Sequence, residues 1–91
     1  DAMEAVDGVA GFQESVGLVA STALSVPKGA TAALIHVEVQ AVRLRADGTA
    51  PTATTGIRLA INDTLWVFGK LQDLRFIQEL ATAELNVQYF Q

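Results

Sequence analysis

"ATAALIHVEVQ", Ala30–Gln40, is the stretch that decides the fold class. Ala33, Ile35, Val37 and Val39 alternate with Leu34, His36, Glu38 and Gln40. A period of two belongs to a strand with one apolar and one more polar face. Just before it, "VPKG" reads as a turn: Pro27 suits position i+1, and Gly29 supplies a positive φ where one is needed. "STALS" upstream of the turn reads as another strand. Downstream the phase slips, because Val42 and Leu44 are apolar where the earlier alternation would have buried Ala41, Arg43 and Arg45. Either a β-bulge near Gln40–Ala41 or a tight corner between two strands accounts for the slip.

The same period returns in Ile57, Leu59 and Ile61, and "NDT" then marks a turn. "TLWVFG" has no polar face, so this strand is either covered on both sides or keeps an apolar face for a partner. "KLQDLRFIQELATAEL" has two readings. Leu71, Leu74, Ile77, Leu80 and Leu85 lie near helical spacing, which allows a helix over 71–84. The preferred reading pairs Leu74 and Phe76 on one face of a strand and turns at "QELAT". Leu85, Val87 and Tyr89 then alternate along a final strand. Between "AVRL" and "IRLA" runs "RADGTAPTATTG", Arg45–Gly56, which has no large apolar side chain. Asp47-Gly48 is a turn signal, Pro51 keeps its surroundings extended, and the threonines favour β structure. We expect an ordered surface segment that crosses from one sheet to the other. Six or seven short strands punctuated by turns indicate an all-β protein, a small antiparallel β-sandwich or jelly-roll-like module.

Ninety-one residues make one domain, since two cores cannot be built from so little chain. Such a domain buries only roughly 60% of its unfolded surface, which leaves little for an internal active-site cavity. With no cysteine and a single histidine, His36, zinc fingers, redox motifs and thiol catalysis are not expected. Stability then rests on packing or on association with other subunits. No run approaches the ~20 apolar residues of a membrane helix, and "DAMEAVDG" is not a basic-then-apolar signal. Met3 reads equally as a native start or as an internal methionine of a processed chain.

Charge is unevenly placed. Asp1, Glu4, Asp7 and Glu14 meet no lysine or arginine in the first fourteen residues, and beyond them acids and bases balance. The net charge of −4 therefore belongs to the N-terminal segment. Residues 1–14, with Gly8, Gly11 and few bulky apolar groups, are expected as a flexible, extended acidic arm. Residues 15–91 form the single β-sandwich domain. A neutral body with an acidic tail argues against nucleic acid, whose binding rests on phosphate neutralisation. Arg43, Arg45 and Arg58 read as a solvated sheet face rather than as a basic site.

Catalytic constellations are not visible. His36 and Glu38 share a strand face, but Ser15, Ser21 and Ser25 carry no flanking motif, and no second histidine completes a zinc set. Asp47, Asp63 and Asp73 fall at turns, where aspartate bonds the nearby backbone. "DGTAPTATTG" is glycine-poor and lacks lysine, so it is not a phosphate loop. We expect no enzyme, no cofactor and no metal. The aromatic residues Trp66, Phe68, Tyr89 and Phe90 could stack on a sugar, although two of them face the core in either strand phase. Trp66 reads better as a core or interface anchor.

Four motifs carry a resemblance: "VP-x-GAT-x-ALI" from Val26, "VR-x-R-x-DGT-x-PTAT-x-G" from Val42, "L-x-x-LRFI" from Leu71 and "A-x-LNV-x-Y" from Ala83. Together, from Val26 to Phe90, the chain resembles small structural proteins encoded by tailed bacteriophages. The resemblance implies a virion component, a capsid decoration or cement protein with no catalytic residues. It would be made in the bacterial host cytoplasm and carried on the capsid surface. Its partners would be the major capsid protein, copies of itself, or both, with no nucleic acid and no membrane. Expected contact residues are Leu65, Trp66 and Phe68 of the apolar strand, with Thr49, Pro51, Thr52, Thr54 and Thr55 of the threonine-rich segment. The acidic arm is expected to join them. The alternative is a carbohydrate- or receptor-binding module of a tail or fibre appendage, with a glycan as ligand.

Overall fold

The structure, a computed structural model, describes residues 8–14 and 17–91. Over these residues it is all-β, with eight strands: β1 (Val9–Glu14), β2 (Thr22–Ala23), β3 (Ala32–Glu38), β4 (Val42–Arg45), β5 (Ile57–Leu59), β6 (Thr64–Phe68), β7 (Arg75–Gln78) and β8 (Glu84–Phe90). They form two four-stranded antiparallel sheets, β1-β8-β3-β6 and β2-β7-β4-β5. No helix among the described residues is long and apolar enough to cross a membrane.

One apolar cluster joins the two sheets. From the first sheet come Ala33, Ile35 and Val37 of β3 with Leu85, Val87 and Tyr89 of β8, the inward residues that period two assigns. From the second come Val42, Leu44, Leu59 and Phe76. Leu18, Leu24, Leu71, Leu74 and Ala83 complete the cluster from segments between strands. Tyr89 is the largest of the fully buried side chains. Burial pushes its phenol up to about 12, so it stays protonated and donates to Gln13 Oε1 at 2.8 Å. The same oxygen accepts the Ser25 N–H at 3.2 Å, which ties β1 to β8 and to the segment after β2.

Two sequence expectations change here, and the helical alternative for 71–84 gives way to the preferred strand reading. Val9–Glu14 is a strand on β8 rather than part of an arm; Asp1–Asp7 lie outside the described residues. Residues 71–84 are not a helix: Leu71–Asp73 is one 3-10 turn, and β7 follows. In "VPKG", Ala30 N–H donates to Pro27 O at 3.1 Å, so Pro27 is position i of the turn, with the φ of 84° at Gly29 in position i+2.

The phase slip after Gln40 is a corner. β3 ends in the first sheet and β4 begins in the second, so inward residues on either side of the corner answer to different sheets. The chain turns through Val39 at φ 73°, a left-handed conformation that is rare for a β-branched residue. Left-handed backbone costs a non-glycine residue about 1–2 kcal/mol, against about 0.5–1 kcal/mol of extra chain entropy for glycine. Val39 is 49% exposed and has little packing to lose. Val39→Gly should therefore stabilise the protein by about 0.5–1 kcal/mol, read as a higher urea midpoint at unchanged slope. A lower midpoint would refute the strain.

Candidate interaction surface

The outer face of β1-β8-β3-β6 is divided along its length. At one end the register sets Val9, Phe90, Ala32 and Phe68 in one row, and Phe12, Gln88, Leu34 and Trp66 in the next. Trp66 stacks on Phe68 with ring centroids 5.7 Å apart and planes at 11°. It also leans over Phe90 at 5.1 Å and 42°. That cover explains why Phe90 is buried although it points out of the sheet. Phe12 is 57% exposed and Phe68 47%. At the other end the face is polar: Asn86, His36 and Thr64 share a row, and Glu84 lies opposite Glu38. His36 Nδ1 and Thr64 Oγ1 are 3.0 Å apart.

The second sheet shows a different outer face. Arg43 and Arg58, cross-strand neighbours on β4 and β5, both reach Glu79, at 2.7 and 3.1 Å. Partial burial pushes the Glu79 carboxyl up, and the bonds from Arg58 and Arg43 outweigh it, so the group sits below its ordinary value. Arg75 instead donates to the carbonyls of Gln72 and Leu74. The arginine face that composition suggested is thus largely paired within itself.

The threonine-rich segment corrects another expectation. β4 and β5 are neighbours in one sheet, so Ala46–Gly56 closes a hairpin and does not cross between sheets. It is ordered from within. Thr52 and Thr55 exchange backbone hydrogen bonds of 2.9 and 3.2 Å, and Gly48 N–H donates to Asp73 O at 3.0 Å. Gly56, at φ 132°, lets the backbone pass close to β4; a Cβ there would lie 2.9 Å from Leu44 O. An open depression of about 510 Å³ lies at the base of the hairpin, lined by Leu44, Arg45, Asp47, Thr55 and Ile57 among others.

Asp47 begins the loop. Its carboxylate takes two bonds from Arg45 and one from the Thr49 N–H. The Arg45 bond, then the Thr49 amide, hold its pKa down to about 2 from an ordinary 3.8. A depressed carboxyl contributes stability above its ordinary value and loses it as pH falls through the folded one. Loop order should therefore persist at pH 4 and fade towards pH 2, and Asp47→Asn should abolish this dependence. Amide NMR of Thr49 across that range is the check, and a midpoint near 4 would contradict the pairing.

The predicted contact residues consequently fall into separate groups. Trp66 and Phe68 point outward on β6, whereas Leu65 packs against the core. Thr49, Thr52, Thr54 and Thr55 are exposed on the hairpin of the other sheet, and Pro51 is buried there. Sequence reasoning missed Phe12, assigned to the arm, and Leu34. The signal for Leu34 was its place as an apolar residue on the polar phase of β3. Among the described residues no group of three His, Cys, Asp or Glu side chains could hold a metal ion.

No protein-family model, curated protein or solved structure matches the chain. Its reading therefore rests on this geometry. The aromatic end of the first sheet, with Phe12 and Phe68 exposed beside Trp66, is a surface feature that core packing does not explain.

Proposed function

We propose that the chain is a non-enzymatic structural protein of a tailed-bacteriophage virion. It acts as a decoration or cement protein that stabilises the shell through contacts with the major capsid protein and with its own copies. The observation that carries this reading is the aromatic end of the outer face, where Phe12, Leu34, Trp66 and Phe68 form a surface rather than a cavity. Aromatic side chains held by strands lose little entropy on docking, which suits an interface anchor. The fold supports the reading. We read the strand orders β1-β8-β3-β6 and β2-β7-β4-β5 as an eight-stranded jelly-roll sandwich, an architecture shared by viral capsid domains and lectins. That support is analogy of fold, and the resemblance of the four motifs adds to it. Many copies on one shell would add avidity to a modest single contact. Mixing the protein with undecorated capsids should give saturable co-sedimentation; its absence would overturn the reading.

One observation favours a second reading. The Trp66 and Phe68 rings are nearly parallel and partly exposed, and an exposed aromatic face is one on which a sugar ring can stack. A glycan- or receptor-binding module of a tail appendage would bind a glycan array saturably and ignore capsids.

A further inference from the structure

A sheet edge is an unpaired row of N–H and C=O groups, and most edges are blunted against pairing. Three of the four edges here are blunted. β2 has two residues and β5 three, and β1 is broken by a register shift between Val9 and Gly11. β6 has no such device. Its five residues contain no charge, proline or glycine, and pair with β3 in unbroken register.

The register also says which groups are open. Val37 N–H donates to Asp63 O and Gly69 N–H to Thr31 O, each at 3.0 Å. Alternation then turns the backbone groups of Leu65 and Val67 towards β3 and those of Thr64, Trp66 and Phe68 outward. Among the described residues, none of these outward backbone groups has a hydrogen-bond partner.

We infer that β6 pairs antiparallel with β6 of a second copy of this chain, about a two-fold axis at Trp66. In that register Trp66 lies opposite its own counterpart, and Thr64 opposite Phe68 of the second copy. Every outward group then meets an outward group, each residue pair exchanging two bonds. The pairing continues the first sheet across the axis and joins its two aromatic ends. It also covers the half-buried Leu65 and Val67, which face Val67 and Leu65 of the second copy on the inner side. Charge selects the direction. β6 is flanked by Asp63 and Lys70, so antiparallel pairing brings opposite charges together at each end, while parallel pairing sets like against like. Such a contact is isologous and closes at two copies. It stands on the edge alone and holds whether or not the outer face meets a capsid.

The test is solution mass together with directed cross-linking, because the chain has no cysteine of its own. The wild-type chain should sediment at twice its 9.6 kDa. An equimolar mixture of Thr64→Cys and Phe68→Cys, oxidised mildly, should give a cross-linked dimer containing one of each. The two positions would stand about 5.5 Å apart between Cα atoms, within disulfide range. Neither variant alone should cross-link, since like positions are four residues, about 13 Å, out of step. Thr64→Pro removes an outward N–H together with the exposed hydroxyl beside His36, and should halve the mass with the circular dichroism spectrum unchanged. A monomer with no cross-link in the mixture overturns the inference, as does cross-linking by Thr64→Cys alone or a dimer that the mixture fails to trap. A monomer whose β6 amides gain hydrogen-exchange protection only when capsids are added overturns it too, and assigns the edge to a capsid strand. Capsid co-sedimentation is read separately, so each proposal can fail without the other.

Discussion

Phe76→Ala is expected to lower the free energy of unfolding by about 3–5 kcal/mol, the usual cost of deleting a large aromatic ring from a core. Phe76 is fully buried on β7, opposite Thr22 of β2 and Leu44 of β4. Among the described residues it is the only aromatic side chain that the second sheet gives to the shared cluster, where Tyr89 comes from the first. β2 and β5 are too short to close over a void left between the sheets. A domain holds only about 5–15 kcal/mol in total, and one this small stands near the lower end. The variant should therefore unfold measurably at room temperature, with the denaturation midpoint lowered and the slope unchanged. A loss below about 1 kcal/mol would mean that the ring does not fill the space between the sheets.

The alternation along Ala33–Val37 was legible because its inward residues all answer to one sheet, and it carried the fold class. The phase slip was equally legible, but its cause was not. A bulge and a corner shift the alternation by the same one residue, and only the pairing of β4 with β5 and β7 separates them. The helical spacing of Leu71 and Leu74 has a physical source. Both are buried across a single 3-10 turn, which returns to the same side every three residues. Leu80, which would extend the helical stripe, is exposed in a turn.

β1 was hidden for a different reason. Its six residues include one glycine and only two bulky apolar side chains, Val9 and Phe12. What holds it comes from the far end of the chain, through Tyr89 to Gln13 and Gln88 to the Gly11 carbonyl. Sequence-local reasoning has no access to such bonds. It was also misled by length at Ala46–Gly56, since hairpin loops usually have two to five residues. The Thr52–Thr55 bridge folds this one back on itself. Of the candidate surface, Trp66 and Phe68 were readable from an apolar strand without a polar face. Phe12 joins them only because β1 exists.

Under the proposed cement role, Trp66→Ala is expected to weaken capsid binding by at least about 30-fold, the equivalent of roughly 2 kcal/mol for a central interface aromatic, while leaving the fold in place. The asymmetry with Phe76 follows from the two faces of the sandwiched strands. Trp66 packs sideways on Phe68 and over Phe90, and the β3–β6 ladder beneath it is built from backbone groups of Leu65 and Val67 that the substitution leaves alone. Stability should fall by about 1 kcal/mol, the worth of an aromatic pair beyond its burial. Phe12→Ala, at the opposite edge of the same face, should weaken binding too. Its solution mass should be unchanged, because Phe12 is remote from the β6 edge in strand order. Both effects are read by co-sedimentation titrations beside urea melts. Should Trp66→Ala bind capsids normally and lose glycan binding instead, the aromatic end would belong to a sugar, and the lectin-like reading would replace the cement one.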